Sequence, residues 1–237
     1  MAFEKIVAPT PKELFLSQVI RMILSGELKP GEQLPTERRL SELMAVNRSI
    51  VHSGIEELQR MGFVTMEPRK GNYVADYRHE GNFNTLSAIA RYGEGDFDTN
   101  MRISLVELRN AIVGGAMIRL AKCGTQEDMK QLRALYARHK KEASEKQDLA
   151  TATRQLMEFN IALAQHSGNS MFVLLMNTFA QSSLPIWERC IRHWGLDSPV
   201  KQEEIILDLL ERGNGHEAAV YLENMFETYM QDTGLRR

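Results

Sequence analysis

Residues 36–74 limit the fold of this chain more than any other stretch. Thr36 is a helix-capping residue type, and "ERRLSELM" after it places Leu40, Leu43 and Met44 where one helix face turns inward. Ala45-Val46-Asn47 leaves room only for a tight turn, and Asn47 can cap a following helix through its side-chain oxygen. "RSIVHSGIEELQRM" then carries an apolar set, Ile55, Leu58 and Met61, before Gly62 stops it. "FVTMEPRKGNYVAD" supplies two short β-prone runs around Pro68-Arg69-Lys70-Gly71, a hairpin with a basic tip.

A further helix precedes these elements. Thr10-Pro11-Lys12-Glu13 combines a cap, a proline suited to the first helical position and a glutamate that completes a capping box. "KELFLSQVIRMILSG" follows with Leu14, Val19, Ile20, Ile23 and Leu24 near helical spacing, ending at Gly26, and "LKPGEQLP" is turn chemistry. Three short helices and a hairpin, two of the helices joined by a tight turn, predict a winged helix-turn-helix over residues 1–76.

Downstream the pattern changes. Tyr77 to Asp98 reads as a linker with an adaptor helix, Phe83 to Tyr92, among Gly- and Asp-rich punctuation. From Met101 onward the apolar spacing is helical throughout, with helices expected near 101–122, 126–145, 149–167, 169–194, 199–212 and 215–233. Gly124, Gly168 and Gly213 act as stops. The expected fold is mainly α: a winged helix-turn-helix joined through residues 77–98 to an all-α bundle over 99–237.

Composition bounds the partners. The total charge is −2, and residues 1–75 hold ten Lys and Arg against nine Glu, so +1 there faces −3 in the remainder. That asymmetry is too small to signal nucleic-acid binding unaided, and such a reading must rest on where individual charges sit. Cys123 and Cys190 show no metal-like spacing and fit a reducing compartment. No signal-like N-terminus and no run of about 18 apolar residues occurs, so no membrane partner and a cytoplasmic location are expected.

The helix beginning at Asn47 has two ends of different character. Asn47, Arg48, Ser49, His52 and Ser53 are polar or basic, whereas Glu56 and Glu57 follow among apolar residues. A helix N-terminus presents free N–H groups and a positive dipole, so it favours anions. Entering a major groove with these turns first, Arg48 would suit bidentate contact with guanine, and Asn47 or Ser49 contact with phosphate or a base. Arg69 and Lys70 at the hairpin tip suit minor-groove or backbone contact. Double-stranded DNA is therefore the expected partner.

"GELKPGEQLPTERRLSELMAVNRSIVHSGIEELQRMGFV…PRKGNYV", Gly26 to Val74, resembles the GntR family of bacterial transcription regulators. "LVELRNAIVGGAMIRLA", "FNIALAQHSGN" and "ERGNGHEAAVYLENM" are similar to phrases of the helical domain in its FadR branch. The resemblance implies a homodimer that reads a palindromic operator, with a small acidic effector bound in the helical domain. It also implies a phosphate- or base-contacting role for Arg38, while the neighbouring Arg39 is equally readable as a solvated charge. His52 stands where fatty-acid-responsive members carry an arginine, which removes a fixed bidentate donor and implies a different operator.

Many members of that branch hold a divalent metal with an aspartate and three histidines. Here the matching places read Leu156, Asn160 and, in the last helix, Met225 or a neighbour, and the earlier helix offers only "VKQEEIIL". Leucine and methionine provide no O or N donor, so no metal and no cofactor are expected. His166, beside "SGN", reads as a helix-end residue interacting with the last carbonyls. An acidic effector must then be held by arginine or amide groups in an apolar cavity. Arg109 matches the branch's pocket-side arginine and Asn160 occupies an inward ligand position, with Arg102, Arg189 and Arg192 as weaker candidates. Phe172, Leu175, Met176 and Phe179 form a stripe that reads first as core and second as the lining of an acyl channel. An enzyme built on this domain lacks any nucleophile triad, paired inward acids or phosphate loop. The alternative to effector gating is a DNA-binding dimer whose helical domain serves only dimerisation or protein interaction.

Overall fold

The computed structural model describes residues 9–92 and 97–235. Gly93 to Asp96, part of the expected punctuation, lie outside the described residues. The chain divides into two compact units, Met1–Asp98 and Thr99–Arg237.

In the first unit, α1 (Pro11–Leu24) opens on a complete capping box between Thr10 and Glu13. It buries Phe15, Leu16, Val19, Ile20, Ile23 and Leu24, but Leu14 points to solvent. α2 (Glu37–Met44) is capped by the Thr36 hydroxyl, which accepts from Arg39 N–H at 3.3 Å. Leu40 is its buried anchor, whereas Leu43 is 58% exposed. A helix this short reaches the core with one turn's face only, so the inward orientation expected of Leu43 does not hold. Ala45 takes a left-handed φ of 51° and turns the chain into α3 (Arg48–Arg60).

Asn47 occupies the cap position of α3 but makes no side-chain cap bond, contrary to the expectation from its residue type. α3 buries Val51, Ile55 and Leu58, and Gly54 lies so close to α1 that an added Cβ would meet Phe15 Cδ1 at 2.4 Å. Beyond α3, Gly62 at φ +79° lets the chain reverse into β1 (Val64–Glu67), which pairs antiparallel with β2 (Gly71–Val74). An isolated bridge from Gln33 to Tyr73 widens this wing.

The segment read as linker packs with this first unit. A short helix, α4 (Tyr77–Glu80), was not anticipated, and its Tyr77 ring lies 5.3 Å from Phe63. α5 (Phe83–Tyr92), the expected adaptor helix, packs on α1, with Arg91 Nη2 3.0 Å from Glu13 Oε1. Asp98 N–H closes the unit by donating to Leu24 carbonyl at 3.2 Å.

The second unit consists of α6 (Thr99–Cys123), α7 (Gln126–Glu145), α8 (Leu149–His166), α9 (Ser170–Trp194), α10 (Ser198–Glu211) and α11 (Gly215–Asp232). Side-chain caps at Thr125, Asp148 and Asn169 start three of them. α6 packs along α11, and α8 along α9. Gly215 permits the first approach, because a Cβ there would meet Met117 O and Ala121 Cβ at 2.7 Å. Val113, Met117, Leu132, Phe159, Leu163, Leu207 and Leu222 form the centre of one apolar cluster. His166 does not serve the last carbonyls of its helix. Its Nδ1 lies 2.9 Å from Asp128 Oδ1, joining α8 to the start of α7 and holding that carboxyl down to about 2, a shift led by the Thr125 hydroxyl.

Candidate nucleic-acid interface and effector cavity

The polar end of α3 is fully presented. Asn47, Arg48 and Ser49 are exposed, and among the described residues their side chains have no hydrogen-bond or ionic partner. Ile50 N–H already donates to the Asn47 carbonyl at 2.9 Å, so the N–H groups of Arg48 and Ser49, the positive end of the helix and the Arg48 guanidinium face the same solvent. The empty cap position of Asn47 follows the same logic: its amide remains available outward.

His52 is placed differently from its three neighbours. Its Nδ1 lies 2.8 Å from Glu37 Oε1 and its Nε2 3.5 Å from Glu56 Oε1. The Glu37 bond, then the charges of Glu37 and Glu56, push its pKa up. The imidazole is thus held between two carboxylates. Sequence spacing exposes the Glu56 partner, four residues on along a helix, but not Glu37 on α2.

The Glu37 bond places the N-terminus of α2, with Arg38, beside α3. Arg38 Nε is 3.6 Å and Arg39 Nη1 3.3 Å from the same carboxylate, Glu42, and all three are exposed. Such surface pairs are weak and yield readily to a phosphate. At the hairpin tip, Lys70 N–H donates to Glu67 carbonyl at 3.1 Å, and Arg69 sits at φ 66°. That left-handed conformation is uncommon for arginine and turns its side chain out of the ladder. Lys70 Nζ pairs with Glu67 at 2.9 Å in the open.

In the second unit, Arg109 and Asn160 line one cavity. Arg109 is 6% exposed and Asn160 4%. The guanidinium lies 5.0 Å over the Trp187 ring and 5.7 Å over Phe226, and its Nη1 donates to Asn110 Oδ1 at 2.9 Å. Its Nε is buried without a partner. Burial lowers its pKa to about 10, a measure of how little surrounds the charge to solvate it. Leu175, Met176 and Phe179 line the same space, so this part of the α9 stripe is a cavity wall; Phe172 instead packs against Gly115. The cavity volume is about 30 Å³, room for a single water.

Leu156 and Asn160 sit in the interior of α8 as expected, and the former brings no donor atom. Among the described residues, no group of three His, Cys, Asp or Glu side chains is arranged to hold a metal. The weaker arginine candidates fall elsewhere: Arg192 is exposed, and Arg102 and Arg189 line a separate cavity.

The chain thus comprises a winged helix-turn-helix unit and a separate six-helix unit with a buried arginine that has no carboxylate partner among the described residues. The family model for bacterial regulatory proteins of the gntR family matches residues 16–74, and that for the FCD domain matches residues 104–228. The chain belongs to the GntR family, with an FCD domain as its second part, and is a DNA-binding transcription regulator of that type. It is 26% identical over 203 residues to the HTH-type transcriptional regulator LutR of Bacillus subtilis, covering 83% of this chain and 89% of that one. It is also 26% identical over 185 residues to the fatty acid metabolism regulator protein of Shewanella halifaxensis, covering 73% and 70%. A solved structure of Lar, which controls expression of the Listeria monocytogenes agr system, shares the fold. It has a TM-score of 0.57 and 19% identity, covering 94% of this chain and 96% of that one. No described helix is long and apolar enough to cross a membrane.

Proposed function

We propose that this regulator binds a palindromic operator as a homodimer and that a small acidic effector, held by Arg109 and Asn160, changes its operator affinity. Arg48, with Asn47 and Ser49, reads base edges and phosphates in the major groove. Arg38, His52, Arg69 and Lys70 fix the register on the backbone or in the minor groove.

One observation carries the effector half. Arg109 is a buried cation with an unpartnered Nε and, among the described residues, no carboxylate within 4.0 Å. A buried charge without a counter-ion is costly, and a carboxylate ligand removes that cost with a bidentate bond. The donor set favours direct recognition without a metal, since Leu156 and Met225 supply no oxygen or nitrogen donor for a hard divalent ion or zinc. The volume of about 30 Å³ is far below a ligand-sized pocket, so binding must part α6, α8 and α9 around it. Such a movement is what a gated bundle requires.

That same small volume supports a second reading, a DNA-binding dimer whose helical domain answers no small molecule. A thermal-shift screen of short and medium organic acids and acyl-CoA thioesters separates the two, with Arg109→Gln as control. Stabilisation of the wild-type protein alone supports the effector reading, because a ligand of the folded state raises its stability by mass action. A flat screen with intact DNA binding leaves the second.

A further inference from the structure

A second cavity, of about 150 Å³, opens between α6, α9 and α11 and shares no lining residue with the Arg109 cavity. Its walls are apolar at Ile103, Val106 and Ile186, and its polar residues include Arg102, Arg189 and Tyr229. Arg102 donates through Nη2 to Thr99 Oγ1 at 3.0 Å, while its Nε is buried with no partner. Among the described residues neither guanidinium has a carboxylate within 4.0 Å. Arg102 also stands in the first turn of α6, which holds no acidic residue. Arg102 from α6, Arg189 from α9 and Tyr229 from α11 thus line the same space.

We propose that this cavity binds an oxyanion of the phosphate class, as inorganic phosphate or as the phosphoryl group of a small phosphate monoester. A guanidinium with a buried, unpartnered Nε and a second, exposed guanidinium on the same cavity suit about two negative charges and several acceptor oxygens, which a phosphoryl group supplies and one carboxylate does not. The volume is several times that of a water, so a short organic body fits against the apolar walls.

The test uses the full-length protein in a chloride-balanced buffer of fixed ionic strength, followed by thermal shift and by titration calorimetry. Inorganic phosphate is expected to raise Tm saturably. Arg102→Gln and Arg189→Gln each weaken phosphate binding by about tenfold or more, and Arg109→Gln leaves it unchanged. Arg189 is exposed, so that variant keeps the test open should Arg102→Gln fold poorly. Tighter binding of glycerol phosphate than of phosphate marks a monoester as the occupant, and the reverse order marks free phosphate. Acetate as effective as phosphate, Arg189→Gln binding phosphate like the wild type, or a wild-type protein indifferent to phosphate would each overturn the proposal. Because Arg109 lies outside this cavity, these outcomes are independent of the effector reading above.

Discussion

His52 Nδ1 lies 2.8 Å from Oε1 of Glu37, fifteen positions earlier on the preceding helix. The bond ties the two helices together and favours the charged form of the imidazole on the exposed side of α3 proposed to meet DNA. Because the pKa of His52 is raised, its charge persists above the ordinary histidine range and is lost as pH rises through the raised value. In the proposed binding mode, a neutral His52 leaves the charges of Glu37 and Glu56 unopposed beside the phosphates. Operator affinity at constant ionic strength is expected to fall as pH rises through that raised value, and to fall less steeply in His52→Gln. Equal slopes in both proteins would assign the pH dependence elsewhere.

Arg48 and Lys70 are expected to differ in kind. Arg48→Ala should cost about 1–3 kcal/mol on the best sequence and relax discrimination at one base pair, while Lys70→Ala weakens all sequences alike and lowers the salt slope by about one. Fluorescence anisotropy on matched and mismatched duplexes over a salt series measures both. A uniform loss for Arg48→Ala would mark it as a phosphate contact.

The interior of the second unit holds a fully buried His139, with Nδ1 2.8 Å from Glu203 Oε1 and Nε2 3.0 Å from Glu158 Oε2. Burial works against its charge, yet the bonds to Glu203 and Glu158 raise its pKa overall; burial raises that of Glu203 against the pull of His139. His139→Ala leaves Glu203 buried and unpaired and is expected to cost about 3–5 kcal/mol in urea unfolding. His139→Leu combined with Glu203→Leu should recover much of it, since apolar packing replaces the pair. For a histidine with a raised folded value, the stabilisation is complete below about pH 6.5 and fades as pH rises through that folded value. Wild-type stability should therefore decline toward alkaline pH more than that of the double variant. An unfolding midpoint of His139→Ala equal to the wild type's would refute the pair's role.

Gly54→Ala tests the packing that aims the reading helix. The added methyl meets the Phe15 ring at 2.4 Å, so α1 and α3 must part or the ring must turn. A loss of about 1–3 kcal/mol is expected, seen as a lower Tm with weaker DNA binding. An unchanged Tm would show that Phe15 moves freely.

Elements with local signals were legible in the sequence. The helices from α6 onward lie within about two residues of their expected ends, because apolar periodicity, caps and stop glycines act within a few residues. The wing was legible for the same reason. What escaped depends on contacts distant in sequence or on helices too short to show a period. α4 is four residues long, Leu43 lies on an eight-residue helix, and the fate of the Asn47 amide is set by side-chain rotation. Of the site residues, the polar end of α3 was readable as residue types, whereas Arg109 and Asn160, which line one cavity, were singled out through the family resemblance. The clasp of His52 by Glu37 and the convergence of Arg102 with Arg189 arise only from folding. His166 shows the same limit, since its partner Asp128 belongs to another helix.

Gating of DNA binding by an acid at Arg109 is read out most directly by operator affinity with and without ligand. The duplex is chosen by selection from random sequence, and the ligand is the organic acid or thioester that stabilises the protein most. The account predicts a change of about tenfold or more in the wild-type dissociation constant. For Arg109→Gln it predicts no change with ligand and an unaltered affinity in its absence. Wild-type affinity that ignores the ligand, or an Arg109→Gln protein that responds as fully as the wild type, would contradict it.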